Sequence, residues 1–303
     1  MPFEEQYRRQ VALLLRTIPL IGAEDCFALK GGTAINLFIR DMPRLSVDID
    51  LTYLPVQPRD QSLKAIDAAM TRISERIVKA IPGARVTPSR AEGAILKLLL
   101  RANGAQIKIE VTPVLRGCVY EPEVRAVSAA VEEAFGFAEM RVVSFPDLYA
   151  GKIVAALDRQ HPRDLFDVRD LLANEGISDD ICRAFIVYLL SHGRPMSEVL
   201  APTRKPIKEE FLRGFEGMTE KPIALEELLA VREEIIQVMV GGMPKDHRAF
   251  LMSFKRGTPE WPLLGVPEAA SLPAVRWRQQ NLDKLSRQKR DALLERLREV
   301  LGE

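Results

Sequence analysis

Lys30-Gly31-Gly32-Thr33 is followed closely by Ser46-Val47-Asp48-Ile49-Asp50-Leu51. Paired glycines between a strand and a helix let backbone N–H groups approach a phosphate, and a helix N-terminus favours its charge. Asp48 and Asp50 alternate with aliphatic residues, so on a strand both carboxylates point to one face. Carboxylates side by side repel each other unless a cation lies between them. Oxygen-only ligation suits Mg²⁺ or Mn²⁺, which bind through a few carboxylates together with substrate phosphates. A phosphate cradle beside a divalent-metal site predicts phosphoryl or nucleotidyl transfer. Taken singly, Gly-Gly is a turn and Asp-x-Asp a solvated strand face or capping pair. Their succession, strand, Gly-Gly, helix, strand, Asp-x-Asp, is what joins them.

Other chemistries fit less well. The Gly-x-x-x-x-Gly-Lys-Ser/Thr loop and the protein-kinase signatures are absent from the sequence. His161, His192 and His247 are scattered, as are Cys26, Cys118 and Cys182, so no zinc spacing emerges and a Ser-His-Asp hydrolase is hard to build. The cysteines read as reduced thiols of a cytoplasmic protein. Lys152 stands mid-helix beside Leu148, Tyr149 and Ala156. It is either a compact phosphate-binding charge or a surface lysine with its stem on apolar neighbours. Asp164 and Asp167 share a helical face. Asp164 could cap the helix N-terminus and Asp167 could pair with Arg163, or either could steady Lys152, contact a nucleotide or help deprotonate an attacking hydroxyl.

The elements that must position these residues follow from hydrophobic period. Helices are expected over 4–20, 33–39 and 61–81, and strands at 27–29, 45–54 and 140–143. Ala94–Ala102 and Ala105–Val111 flank Asn103-Gly104, the pair that favours a two-residue hairpin turn, and this places Lys97 opposite Glu110. Helices then run over 146–158, 163–174, 179–192, 206–216, 225–240, 246–255 and 276–301. A boundary near residue 145 separates an α/β part, 1–145, from a helical part, 146–303. The 303 residues suit two domains, and 47% hydrophobic with 28% charged residues is ordinary globular composition. No apolar run reaches the roughly 18 residues of a membrane helix, and the first ten residues lack a signal-peptide apolar core, so a cytoplasmic chain without a membrane partner is expected.

Leu29-Lys30-Gly31-Gly32-Thr33-Ala34, then Arg44, Ser46 and Asp48-Ile49-Asp50-Leu51, resembles the first motif of the AbiEii/MenT group of nucleotidyltransferase-fold toxins from type IV-like toxin–antitoxin systems. Lys152-Ile153 with Ala155, Arg159 and Arg163-Asp164-Leu165-Phe166-Asp167 is similar to the group's Lys…Arg-Asp-x-x-Asp segment. The tail is similar too, through His247, Phe250-Leu251, Gly257, Pro262-Leu263-Leu264, Leu272–Trp277 and Asn281.

The resemblance implies an α+β, DNA polymerase β-like nucleotidyltransferase core with a mixed sheet, followed by an all-helical domain, the active site lying between them. It implies catalytic Asp48, Asp50, Lys152 and Asp167, and a nucleotide held by Lys30, Gly31, Gly32, Thr33, Arg44, Ser46, Lys152 and Asp164. Two Mg²⁺ ions would sit on Asp48 and Asp50. A third carboxylate belongs to this fold, and Glu110 is the candidate, either as metal ligand or as mere cross-strand partner of Lys97. The implied reaction moves NMP from an NTP to an RNA acceptor, the tRNA 3′ end, halting translation until a cognate antitoxin intervenes. Transfer to a protein or small molecule, and a non-catalytic scaffold that binds RNA or a partner, are the competing readings.

Net charge is only +1, from 43 Lys+Arg against 42 Asp+Glu. Bases gather at 141–169 and at 276–298, where Arg276, Arg278, Lys284, Arg287, Lys289, Arg290, Arg296 and Arg298 lie near Trp277. A basic rim around an acidic cleft is expected, with the second stretch either an RNA-binding helix or a solvated helix face.

Overall fold

The structure, a computed structural model, describes residues 5–303. Residue 4 of the first expected helix lies outside that range. The chain forms two compact units, Met1–Ser144 with Gly217–Pro222, and Phe145–Glu216 with Ile223–Glu303.

In the first unit, α1 (Glu5–Gly22) buries Val11, Leu14, Leu15 and Ile18, the stripe its period predicts. β1 (Phe27–Lys30) runs into α2 (Gly31–Ala34), which widens into a π turn over Ile35–Ile39. Next come β2 (Asp48–Tyr53), α3 (Arg59–Ala80), β3 (Arg85–Ala91), β4 (Ala94–Ala102), β5 (Ala105–Arg116), β6 (Glu123–Ala126), α4 (Ala129–Phe135) and β7 (Glu139–Val142). The strands form one mixed sheet in the order β3-β4-β5-β2-β1-β7-β6. This is the α+β architecture expected.

Register fixes what each face carries. β2 pairs with β1 antiparallel and with β5 parallel, and β4 pairs with β5 antiparallel. Leu98, Leu100, Ile107, Ile109, Ile49 and Leu51 are buried on one face, which α1 and α3 cover with Ile18, Ile66, Met70, Ile73 and Ile77. Burying such side chains stabilises the fold by roughly 1.5–3 kcal/mol each. The alternate residues, Lys97, Lys108, Glu110, Asp48, Asp50 and Lys30, therefore share the opposite face. Asn103 and Gly104 both have positive φ, 51° and 74°, as a tight hairpin turn requires, and Lys97 stands opposite Glu110 as expected.

Several elements differ from expectation. The strand expected from residue 45 begins only at Asp48, because 43–45 are tied to the returning segment 217–222 instead. Leu45 N–H donates to Met218 O (2.9 Å), Glu220 N–H donates to Pro43 O (2.9 Å), and Arg44 pairs with Thr219. A single boundary near 145 makes no provision for this strap, which comes from the second half of the sequence. β3 and β6 carry too few apolar residues to announce themselves, α4 is only seven residues long, and Pro88 in β3 suits an edge strand.

The second unit is helical: α5 (Phe145–Asp158), α6 (Pro162–Asn174), α7 (Asp179–Ser191), α8 (Met196–Leu200), α9 (Lys208–Gly214), α10 (Leu225–Ile236), α11 (Lys245–Arg256), α12 (Pro273–Asp283) and α13 (Arg287–Leu301). α5 packs against α6 and α7. The basic helix expected over 276–301 is two helices. It breaks at Ser286, whose hydroxyl accepts from Lys289 N–H as the N-cap of α13.

Candidate active site

The glycine turn and the carboxylate strand are in contact. Gly31 has φ +77°, and a Cβ there would lie 2.7 Å from Asp50 Oδ2. A Cβ on Gly32 would lie 2.7 Å from an Arg44 guanidinium nitrogen and 2.8 Å from Ser46 Oγ. A Cβ on Gly31 would also meet a backbone that favours glycine, whereas one on Gly32 would have to displace only side-chain ends. Thr33 Oγ1 donates to the Asp48 carbonyl, so the neighbouring Ser46 Oγ, 3.1 Å away, donates to Thr33. Asn36, absent from the expected set, holds this together: its Nδ2 donates to Gly32 O (2.8 Å) and its Oδ1 accepts from Arg44 N–H (3.3 Å). Arg44 is buried and its Nη1 donates to Leu45 O (2.8 Å). Thus Gly31, Gly32, Thr33, Arg44 and Ser46 form one cluster beside Asp48 and Asp50.

Lys30 leaves that cluster. Opposite Asp50 in register, its ammonium donates to Thr112 Oγ1 on β5 (3.1 Å), beyond β2. Burial pushes its pKa below the ordinary lysine value, with Asp50, Cys118 and Glu110 pulling the other way. On the other side of β2, Lys108 Nζ lies 3.4 Å from Asp48 Oδ2 and 3.1 Å from Glu110 Oε2. Burial lowers the Lys108 pKa, but Asp48, Glu110 and Asp50 together outweigh it and the value rises. Glu110 also meets Lys97 Nζ at 3.7 Å.

Oxygen-only Asp48 and Asp50, neighbours on one strand face, suit a hard divalent cation that takes its remaining ligands from phosphate and water. Glu110 is in register with Asp50, yet its contacts are to lysines. Among the described residues no group of three or more His, Cys, Asp or Glu side chains is gathered to hold a metal.

The second unit holds the other expected residues in a buried knot. Lys152, on α5, is 7% exposed; its Nζ lies 2.9 Å from Asp164 Oδ1 and 3.1 Å from Asp167 Oδ2, both on α6. Arg159 adds two hydrogen bonds to Asp164. Burial alone would raise the Asp164 pKa, but Lys152 and then Arg159 hold it well below the usual carboxylate range. His161 caps α6 through Nδ1, which accepts from Arg163 N–H (3.1 Å), and Pro162 follows at the first turn. Neither Asp164 nor Asp167 is the cap. Arg163 donates to Gly214 O (3.2 Å).

The bases of 141–169 are engaged within the fold, those of 276–298 only in part. Arg141 pairs with Asp25, and Arg169 with Asp170. Arg278 donates to the carbonyls of Leu190, His192 and Arg194 at the end of α7. Arg290 donates to Arg256 O and Leu282 O. Arg276, Lys284, Arg287, Lys289 and Arg296 of the expected basic stretch are exposed, as is Trp277, while Arg278 and Arg290 are taken up by backbone carbonyls. No helix among the described residues is long and apolar enough to cross a membrane.

Residues 12–281 match the family described as "Nucleotidyl transferase AbiEii toxin, Type IV TA system". The chain belongs to the AbiEii family. It is accordingly a nucleotidyltransferase, of the toxin class of type IV toxin–antitoxin systems. The fold is similar to that of MenT4, a nucleotidyltransferase toxin from Mycobacterium tuberculosis, with TM-score 0.60 and 17% identity over 96% of this chain and 92% of that one. No curated protein matches the chain by sequence.

Proposed function

We propose that this enzyme transfers NMP from an NTP to an RNA acceptor, the 3′ end of tRNA, and so blocks translation in the cytoplasm until a cognate antitoxin neutralises it. The contact between Gly31 and Asp50 carries this reading, because it sets a backbone that a phosphate can approach directly beside a metal-binding carboxylate.

In this reading Gly31, Gly32 and Thr33 bind the β- and γ-phosphates, with Arg44 and Ser46 behind them, while Lys30 and Lys108 balance the charge of the carboxylates. Asp48 and Asp50 hold Mg²⁺ or Mn²⁺, with Glu110 as third carboxylate. When bound, such ions stabilise the charge that develops on the attacking and leaving oxygens. Lys152 and Asp164 serve the nucleotide, and Asp167 orients the Lys152 ammonium. The acceptor hydroxyl oxygen bonds to the α-phosphorus, the bond from that phosphorus to the β-phosphate oxygen breaks, pyrophosphate leaves with the electron pair, and the hydroxyl proton passes to solvent.

The test is incubation with each labelled NTP and Mg²⁺, with and without tRNA. Label is expected in tRNA, and Asp48→Ala should reduce the transfer by about a thousandfold or more, the several kcal/mol that metal stabilisation supplies. Undiminished transfer by a folded Asp48→Ala protein refutes the role of the carboxylates. Label in protein with none in tRNA would favour a protein acceptor.

A further inference from the structure

Five strands contribute one cross-sheet row. Ser89 on β3 stands opposite Lys97 on β4, Lys97 opposite Glu110 on β5, Glu110 in register with Asp50 on β2, and Asp50 opposite Lys30 on β1. Directly opposed residues point to the same face, so the row gives the order of groups across the site. The glycine turn lies at the β1 end, against Asp50. Beyond Glu110, towards the β3 edge, the sheet carries a groove of about 250 Å³ walled by Ser89, Arg90, Lys97, Glu110, Thr112 and Pro113.

We propose that this groove receives the 3′-terminal nucleotide of the RNA acceptor. The inference rests on the reading above and adds where the acceptor binds and through which groups. Transfer at the α-phosphorus requires the attacking oxygen and the departing pyrophosphate on opposite sides of that atom. If phosphates occupy the glycine turn, the side left for the hydroxyl runs from Asp50 past Glu110 into the groove. Its lining joins two cations, Arg90 and Lys97, that suit a phosphate to apolar Ala91, Leu96 and Val111 that suit a sugar or base, with Glu110 at the end nearer Asp50. Lys97 is 42% exposed on its side chain and Arg90 54%, so both cations are accessible. Arg90 is steadied through Nη1 by Asp67 (3.0 Å) and Gly93 O (3.2 Å). At the inner end Thr112 accepts from Lys30. The volume falls below the roughly 300–1,000 Å³ that encloses a whole small ligand, which fits one terminal unit of a longer chain. β3 is the edge of the sheet, so the rest of the strand can leave past it.

Two measurements test this on the full-length protein. A fluorescein-labelled single-stranded RNA oligonucleotide is titrated by anisotropy against wild type and Arg90→Glu, with Mg²⁺–NTP affinity measured in parallel by calorimetry. Arg90→Glu is expected to weaken RNA binding roughly tenfold and lower the salt slope by about 0.7 for each phosphate no longer neutralised, while NTP affinity holds. A periodate-oxidised RNA 3′ end is then trapped with borohydride, and the linked peptide is expected to contain Lys97. Unchanged RNA affinity in a folded Arg90→Glu protein, or trapping only at peptides remote from β3–β5, overturns the groove. Wild-type transfer to RNA that persists in either case leaves the proposed function standing. Absence of any transfer to RNA by wild type would remove both.

Discussion

No side-chain carbon can be placed on Gly31 without meeting the Asp50 carboxylate, 2.7 Å from where it would stand. The turn and the strand therefore constrain each other, and the two glycines should fail in different ways. Gly31→Ala meets both the carboxylate and a φ of +77°, so it should destabilise the fold by about 1–2 kcal/mol and abolish transfer. Gly32→Ala meets the movable ends of Arg44 and Ser46, so it should raise KM for NTP with little change in the urea midpoint. Equal loss of stability in both variants would contradict this.

The Lys152 knot makes a pH prediction. Because the Asp164 pKa is held low in the folded state, the unfolded chain takes up the proton first as pH falls. The knot's contribution is complete above about pH 5 and is lost progressively below the unfolded carboxylate value of about 3.9. Asp164→Asn should cost about 3–5 kcal/mol at pH 7, since Lys152 and Arg159 lose a buried partner, and should flatten the fall in stability between about pH 5 and 3.5. Urea unfolding across that range provides the measurement. A slope equal to wild type would show that Asp164 is not the group responsible.

Lys255, on α11, has only 6% of its surface exposed, and burial, then Arg278, push its pKa down to about 8. A lysine whose folded pKa is lowered destabilises the fold while it must remain charged, and that cost fades as pH rises from about 8 towards the ordinary value near 10.4. Lys255→Met should therefore raise Tm at pH 7, with the advantage shrinking by pH 10. Calorimetry at the two pH values decides it; a lower Tm at pH 7 would point to a partner that the ammonium needs.

The sequence is legible where the signal is local. The Gly-Gly turn, the Asp48–Asp50 alternation, the Asn103-Gly104 hairpin and the Lys97–Glu110 opposition all follow from neighbours in the chain and appear in the structure. Groups brought together from afar are hidden. Lys108 bridges Asp48 and Glu110 only because β2 lies parallel to β5, a pairing that no turn between them dictates. Asn36 acts through a π turn, whose extra residue shifts the helical period. The two-helix end of the chain is obscured because Ser286 interrupts charged residues rather than an apolar stripe. The charge balance hides how many arginines are occupied by backbone carbonyls, as Arg278 and Arg290 are.

The strap 217–222 also bears on how the protein is made. Chains generally fold from the N-terminus as they leave the ribosome, at about 5–20 residues per second. The loop that seats Arg44 and Ser46 against Gly32 is fastened by hydrogen bonds between Leu45 and Met218 and between Pro43 and Glu220, and so these fastenings wait until about half of the helical part has been synthesised. A nascent chain that already displays Asp48 and Asp50 on its sheet would still lack these fastenings, so on the proposed reading of the site the newborn chain should not transfer NMP before the strap has emerged.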